Sequence, residues 1–207
     1  LPNNIMDFSR DSLLKELENT NVEYKKVIIE YTDNLLKKDL PVIYSLNHFA
    51  GILGLDLSEL KTIIHNIDGY YAYYLIKKKH GGKRRIVTPY RNLKMIQTWI
   101  LHEILNKIPV HSQCKGFVKG SNTLQNAKPH ISKQYIRNFD LKDFFESITI
   151  DRVYGVFLSL GYSPAVSFDL ASLCTLKISD YKFENLSRYK KNYFRYLHVK
   201  PQAVLAQ

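Results

Sequence analysis

The sequence has few cysteines and no long apolar run, and each absence excludes a class of protein. Cys114 and Cys174 are the 2 cysteines among 207 residues, and neither lies in a CxxC pair or a Cys/His spacing. A disulfide framework and a structural zinc site are therefore not expected. No stretch reaches the length of a membrane span, and residues 1–12 lack the basic and apolar segments of a signal peptide. We expect a reduced, cytoplasmic protein with no membrane partner.

Acidic residues are scarce in the middle of the chain, where basic residues are concentrated. Residues 71–150 carry 15 Lys and Arg against 4 Asp and Glu, whereas residues 1–70 carry 7 against 11. A field of one sign over this length attracts a polyanion. No basic amphipathic helix suits a membrane surface, so nucleic acid is the expected partner. An ordinary solvated basic surface is the alternative interpretation.

Helical patterns fill the first 69 residues, which we predict to be a helical extension. Ser9 or Asp11 can cap one helix, and a second is predicted over residues 22–38. Its predicted inward positions are Val27, Ile28, Tyr31, Leu35 and Leu36.

Residues 45–66 have the pattern of two short helices joined by a glycine turn. Ser45 is expected to cap the first helix and Gly54 to end it, and Asp56 with Glu59 predicts a capping box for the second. A DNA-reading helix would expose more basic and amide side chains than this one offers. Helix packing is therefore favoured over specific DNA recognition.

Residues 70–89 have the pattern of a β-hairpin with Gly81 and Gly82 at its tip. Both arms are basic, and no acid interrupts residues 77–94. The basic residues of this stretch are Lys77, Lys78, Lys79, Lys83, Arg84, Arg85, Arg91 and Lys94. Such a hairpin can close over a chain of phosphates.

A core helix is predicted over residues 91–108, with Trp99 as a packing anchor at its edge. Its predicted apolar positions are Leu93, Ile96, Ile100, Leu101, Ile104, Leu105 and Ile108. After it, Lys115 and Lys119 lie in a glycine-containing loop before a short helix that Ser121 is expected to cap. His130 has no Cys or second His nearby, so a structural role is favoured over metal binding.

Residues 134–140 are predicted to form a strand that ends at Asp140. A carboxylate there, surrounded by positive charge, suits a divalent metal that also meets phosphates. Asp143 would lie on the opposite face of a continuing strand, so it is a poor second ligand.

Two further helices and an aromatic, basic tail complete the pattern. Thr149 should cap the first helix and Gly161 should end it, while Ser163 and Pro164 begin the second. From Tyr181 onward, aromatic and basic residues alternate. The tail either stacks on a nucleic-acid strand or forms an amphipathic helix.

Five segments, in one order, resemble the fingers and first palm segments of bacterial reverse transcriptases of the retron type. They are KKKHGGKRRIVTP, LKMIQTWILHEIL, GFVKGSNTLQNAKPH, NFDLKDFFESI and VYGVFLSLGY. The resemblance implies an α+β fold of right-hand polymerase type. It divides the chain into the helical extension at 1–69, fingers at 70–133 and a partial palm at 134–207.

The resemblance also implies roles for individual residues. Asp140 would bind Mg²⁺, with the Leu141 carbonyl nearby, and Phe145 would exclude a ribonucleotide 2′-hydroxyl. Lys83, Arg84 and Arg85 match the segment that holds the incoming deoxynucleoside triphosphate, and Gln202 matches a residue lining the nucleotide site. The residues predicted to contact the RNA template, the primer and the DNA product are chosen for their positive charge; they are Lys77, Lys78, Lys79, Arg91, Lys94, Lys115 and Lys119.

The sequence departs from the family pattern in its last third. The second carboxylate pair of the family is an Asp-Asp dipeptide, which is absent here, and Ala203 replaces a glycine after Pro201 and Gln202. No thumb is recognisable. We therefore expect an inactive, truncated polymerase or one half of a split enzyme completed by a second chain, with a non-catalytic nucleic-acid-binding module as the alternative. The retron resemblance points to a role in phage defence.

Overall fold

The computed structural model describes residues 21–77, 81–141, 144–176 and 204–205. The described helices are α1 Val22–Leu36, α2 Leu46–Leu53, α3 Leu57–His65, α4 Arg91–Glu103, α5 Thr123–Ala127, α6 Ile150–Leu160 and α7 Pro164–Cys174. Short 3₁₀ segments occur at Ile67–Tyr70, Leu105–Lys107, Lys128–His130 and Phe145–Ser147. Among these described helices, none is long and apolar enough to cross a membrane.

Two small antiparallel sheets accompany the helices, which makes the described fold α+β as predicted. In the first sheet β1 Tyr71–Lys77 pairs with β2 Lys83–Pro89, the predicted hairpin. In the second, β3 Thr175–Leu176 pairs with β4 Val204–Leu205. Each sheet has two strands, so the helices supply most of the core.

The core lies between α2, α3, α4, α6 and α7, and it is one continuous apolar cluster. Helix α7 packs against α6 and also contacts α3 and α4. Buried side chains come from residues 32–104 and 153–175, including Phe49, Leu60, Ile100, Phe157 and Leu170. The ring of Trp99 lies 5.2 Å from that of Phe49, so its predicted role as a packing anchor is confirmed.

Truncating a buried ring in this core is expected to destabilise the fold strongly. Phe157 on α6 is 1% exposed, whereas Phe168 on α7 is 55% exposed. We expect Phe157→Ala to lower the free energy of unfolding by about 3–5 kcal/mol, because it removes apolar contacts and leaves a cavity. Phe168→Ala is the matched control and should cost less than about 1 kcal/mol. Urea denaturation measures both, and equal losses in the two variants would contradict this assignment of the core.

Helix ends follow the sequence signals at several predicted positions. The Ser45 side chain accepts a hydrogen bond from the His48 backbone nitrogen at 3.2 Å, and Gly54 ends α2 with φ of 66°. Ser163 caps α7 in the same way, with Pro164 at its first turn. Gly161 ends α6 with φ of 106°, a left-handed conformation that glycine adopts without a steric cost.

Other predicted caps are corrected by the structure. Asp56 precedes α3 without a side-chain cap bond, so the capping box with Glu59 is wrong. Asn122, not Ser121, caps α5: its side chain accepts from the Gln125 nitrogen at 2.9 Å, and the Gln125 side chain accepts from the Asn122 nitrogen in return. Ser121 and Asn122 have similar propensities for the N-cap position. The backbone conformation at the start of the helix decides which of the two caps it.

Three residues predicted to face the core are exposed. They are Val27 at 58%, Leu36 at 50% and Leu101 at 44%. Helix α1 buries only a narrow stripe near its carboxyl end, at Thr32 and Leu35, because little of the fold covers the rest of the helix. In α4 the buried stripe is Leu93, Ile96 and Ile100, which continues to Ile104 beyond the helix. Each helix thus has more apolar residues at helical spacing than it buries in the core.

The predicted strand at 134–140 is also wrong within the described residues, where no strand is assigned to it. Tyr135 is 83% exposed and Phe139 86% exposed. A strand needs a neighbour to receive its backbone hydrogen bonds, and the described strands pair elsewhere. The predicted first helix and residues 181–203 of the tail lie outside the described residues.

The connection after α1, at residues 38–41, forms hydrogen bonds with residues at or just beyond the carboxyl ends of α4 and α6. The Lys38 ammonium donates to the Leu160 carbonyl at 2.8 Å, at the end of α6. The Lys107 ammonium, just beyond α4, donates to the Asp39 carbonyl at 2.9 Å. Tyr162 adds a hydrogen bond from its hydroxyl to the Pro41 carbonyl at 3.0 Å. We call these contacts the lysine clamp, since Lys38 and Lys107 supply two of its three donors.

Candidate nucleotide and nucleic-acid site

The register of the hairpin brings its basic positions together at the tip. Lys77 pairs with Lys83, Ile76 with Arg84 and Leu75 with Arg85. Gly81 and Gly82 have φ of 90° and 83°, so both use the left-handed region that a tight turn requires. Lys78 and Lys79 lie outside the described residues. Lys83, Arg84 and Arg85 on β2 are described by their backbone pairing alone. The backbone therefore gathers Lys77, Lys83, Arg84 and Arg85 at one end of the ribbon.

The opposite end of the hairpin is anchored in the core by one side chain. The Gln97 amide on α4 donates to the Tyr71 hydroxyl at 2.7 Å and to the Leu173 carbonyl at 2.8 Å. Burial raises the pKa of Tyr71 well above its usual range, so its hydroxyl remains neutral. The base of the hairpin is thus tied to both α4 and α7.

Other basic residues predicted to bind nucleic acid are spread beyond the hairpin. Arg91 and Lys94 are exposed on α4, and Lys119 is exposed in the loop before α5. Lys115, in the same loop, is partly buried. An exposed Lys or Arg can displace the counterions that are condensed on a phosphate chain, and their release is the main source of nonspecific affinity.

Asp140 lies at the end of the exposed segment 134–140, and Leu141 next to it is 68% exposed. Within the described part of the chain, no group of three or more His, Cys, Asp and Glu side chains could hold a metal ion. Asp143 lies outside that part. Asp140 and the Leu141 carbonyl are oxygen donors of the kind that Mg²⁺ prefers, but Mg²⁺ needs further oxygen ligands to complete an octahedral site.

Phe145 occupies the 3₁₀ segment Phe145–Ser147 and contacts two other rings. Its centroid lies 5.3 Å from that of Phe144 and 5.7 Å from that of Phe117, both in edge-to-face geometry. Strand β4 lies against this same segment. Gln202 is outside the described residues, yet β4 follows it closely in the chain. The structure thus brings together three segments: the loop at Phe117, the turn at Phe145 and the strand after Gln202.

Phe117 is the residue of this site that the sequence patterns miss. It lies between Gly116 and Val118, in a loop with no helical or strand periodicity. Its φ of 57° is in the left-handed region, which is unusual for a bulky side chain. The signal available in the sequence is an aromatic residue in a loop flanked by glycines and lysines, but it does not reveal the partner ring.

The two short helices predicted over residues 45–66, now α2 and α3, pack against other helices. The Glu59 carboxylate on α3 accepts a hydrogen bond from the Asn92 amide on α4 at 2.9 Å. That contact engages a side chain that a DNA-reading helix would need to keep available. Helix packing, the interpretation favoured by the sequence, is therefore supported.

The two cysteines have separate environments. Burial raises the pKa of the Cys174 thiol to about 12, so it stays protonated at neutral pH and is a poor nucleophile. Cys114 is exposed, and its thiol donates to the Gly116 carbonyl at 3.7 Å. The environment of Cys174 is therefore not that of an activated catalytic thiolate.

Sequence comparison shows that this chain is related to reverse transcriptases, specifically those of retrons. It is 38% identical over 148 residues to the retron Ec86 reverse transcriptase of Escherichia coli, an alignment that covers 70% of this chain and 46% of that protein. To the retron Mx65 reverse transcriptase of Myxococcus xanthus it is 35% identical over 145 residues, covering 68% and 34% respectively. The predicted resemblance is confirmed.

A third relative, the retron Mx162 reverse transcriptase of Myxococcus xanthus, is 35% identical over 135 residues, covering 63% of this chain and 28% of that protein. The chain therefore spans less than half the length of these curated relatives. A scan against protein-family models finds no match.

Proposed function

We propose that this chain is part of an RNA-directed DNA polymerase of the retron type, and that it contributes the fingers and the first part of the palm. The observation that carries the proposal is the 38% identity to the retron Ec86 reverse transcriptase over 70% of the chain. The basic hairpin supports it physically, because its register collects Lys77, Lys83, Arg84 and Arg85 at one end of the ribbon. Residues 70–133 correspond to fingers and residues from 134 onward to palm.

The proposed nucleotide site combines the hairpin tip with the segments around Asp140 and Phe145. Lys83, Arg84 and Arg85 bind the triphosphate of the incoming deoxynucleotide through charge-assisted hydrogen bonds. Phe145 occupies the space beside the sugar, where its ring excludes a 2′-hydroxyl. Gln202 lines the same site, since β4, which follows it, lies against the Phe145 turn.

Mg²⁺ is the proposed cofactor, held in part by Asp140 and by the Leu141 carbonyl. When bound, the metal neutralises phosphate charge and stabilises the attacking and leaving oxygens of nucleotidyl transfer. The described residues offer too few carboxylates for this site. We propose that the others come from polypeptide beyond residue 207 or from a second chain.

The proposed nucleic-acid ligands are an RNA template with its primer and the DNA product. The contacts are phosphate contacts by basic side chains, which position a strand without reading its sequence. The proposed contact residues are Lys77, Lys78, Lys79, Arg91, Lys94, Lys115 and Lys119. A cytoplasmic location and a role in phage defence are part of the same proposal.

Primer extension on an RNA template tests the proposed function. The complete polymerase that includes this chain should incorporate deoxynucleotides in the presence of Mg²⁺. The 207-residue chain alone should not, because its sequence lacks the Asp-Asp pair that the family uses beside the first aspartate to hold two Mg²⁺ ions. DNA synthesis should stop when the metal is chelated. Absence of RNA-templated synthesis by the complete protein would refute the proposal, and synthesis by the isolated chain would refute its dependence on further carboxylates.

A non-catalytic nucleic-acid-binding module is the second candidate. It is favoured by one observation: the basic hairpin is present in the described residues, while a cluster of metal-binding carboxylates is absent from them. This candidate predicts binding to nucleic acid that does not depend on Asp140.

A further inference from the structure

We infer that Phe117 is a positioning residue that fixes the ring of Phe145 and thereby sets how strictly the site rejects ribonucleotides. This inference rests on the proposed function, because it assigns Phe117 a part in the selectivity of the proposed polymerase. Phe117 would act through Phe145 and need not touch the nucleotide itself.

The ring geometry gives Phe145 two aromatic neighbours. Phe117 meets it at 90° with centroids 5.7 Å apart, and Phe144 meets it at 73° with centroids 5.3 Å apart. Edge-to-face contacts are favourable only over a limited range of orientations, because the positive ring edge must meet a negative ring face. Phe144 is adjacent in sequence and moves with Phe145. Phe117 comes from a separate loop, so its ring contact restricts how the ring of Phe145 is oriented relative to that loop.

The conformation and exposure of Phe117 show that neither local backbone preference nor core burial explains its placement. Its φ of 57° is disfavoured for a side chain with a Cβ atom and a bulky ring. The residue is also 95% exposed, so it contributes little to the buried core. A bulky apolar side chain that is both exposed and in a disfavoured conformation is a candidate for function.

The consequence for selectivity follows from the small size of the group that must be rejected. A deoxynucleotide and a ribonucleotide differ at this position by one hydroxyl oxygen, so a modest displacement of a blocking ring creates enough room for it. Without Phe117, the ring of Phe145 loses the one of its two described aromatic neighbours that comes from a separate loop, and it can turn away from the sugar. Binding of the deoxynucleotide itself is affected little, because it does not need that space.

Steady-state kinetics of the complete polymerase tests the inference. For Phe117→Ala and Phe117→Leu, we expect the ratio of kcat/KM for a deoxynucleotide to that for the matching ribonucleotide to fall about two- to tenfold, the effect of losing one edge-to-face contact. The change should lie mainly in a lower KM for the ribonucleotide. Phe117→Tyr keeps the ring and should retain the selectivity of the unmodified enzyme. Phe168→Ala, which removes an exposed ring from α7, is the matched control and should leave the ratio unchanged.

A second measurement reports the ring contact without relying on activity. With 4-fluorophenylalanine at position 145, the fluorine resonance should shift in Phe117→Ala and stay in place in Phe168→Ala. An unchanged selectivity ratio in Phe117→Ala, or an unchanged resonance, would overturn the inference even if the enzyme makes DNA normally. An equal loss of deoxynucleotide kcat in Phe117→Ala and Phe117→Tyr would also overturn the inference, since such a loss would show that Phe117 has a role other than positioning the ring of Phe145. If the unmodified protein makes no DNA on RNA, the proposed function itself fails, which is a distinct result.

Discussion

Asp140→Asn is expected to lower RNA-templated DNA synthesis by the complete polymerase by about a thousandfold or more. The substitution preserves the shape of the side chain but removes the negative charge proposed to bind Mg²⁺. Loss of several kcal/mol of metal-mediated stabilisation reduces a rate about tenfold for each 1.4 kcal/mol. Primer extension under single-turnover conditions measures the effect directly.

The position of Asp140 makes this result interpretable. Its side chain is exposed, so the substitution should leave the denaturation midpoint unchanged within error. Asp56→Asn is a suitable control, because Asp56 is also exposed and forms no side-chain cap bond with α3. Synthesis at the normal rate by the Asp140→Asn protein would show that this carboxylate is not a metal ligand of the active site.

The triple variant Lys83→Ala, Arg84→Ala and Arg85→Ala is expected to weaken binding of the 207-residue chain to RNA about ten- to hundredfold at low salt. Each phosphate contact releases counterions, so the logarithm of the binding constant falls with the logarithm of salt concentration by about 0.9 per contact on B-DNA and about 0.7 on single strands. Losing three contacts should therefore reduce the magnitude of the slope by about 2–3. Fluorescence anisotropy across a salt series measures both quantities.

A charge-matched variant separates the hairpin from the net charge of the protein. Lys26, Lys37 and Lys61 are exposed on or beside α1 and α3, and replacing all three by alanine removes the same charge. Binding should change much less in this control. If both triple variants lose affinity equally, or if binding does not respond to salt, the hairpin is not the principal phosphate contact.

Asp140→Ala distinguishes the two candidate functions in the same assay. The binding of RNA should survive this substitution, because the proposed phosphate contacts do not include Asp140. Survival of binding together with loss of synthesis supports the polymerase. Survival of binding in a complete protein that shows no synthesis supports the non-catalytic module.

The hairpin and the central helix were predictable because their signals are local. The glycine pair specifies the turn between two β-prone segments, and the apolar positions from Leu93 to Ile104 recur with helical spacing. Ser45 and Gly54 likewise determine helix ends within a few residues of themselves. Local backbone preferences were sufficient in these cases, because the tertiary fold agrees with them.

The pairing of Phe117 with Phe145 could not be predicted in the same way. The two residues lie far apart in the sequence, in irregular segments, and their contact depends on how separate parts of the chain pack. The predicted strand ending at Asp140 failed for a related reason, since alternation indicates β propensity but does not supply a partner strand. Val27 and Leu101 show that an apolar position on a helix faces the core only where another element covers it.

The lysine clamp has a consequence for how the protein unfolds. Lys38 binds the end of α6 and Lys107 binds the backbone at Asp39, so separating α1 from the core would leave the Leu160 carbonyl at the end of α6 without its lysine donor. The segment from α1 to Pro41 also shares its buried Leu35 and Leu40 with the common core. The described part of the amino-terminal extension should therefore unfold together with α4 and α6 as one cooperative unit, with a single transition rather than two.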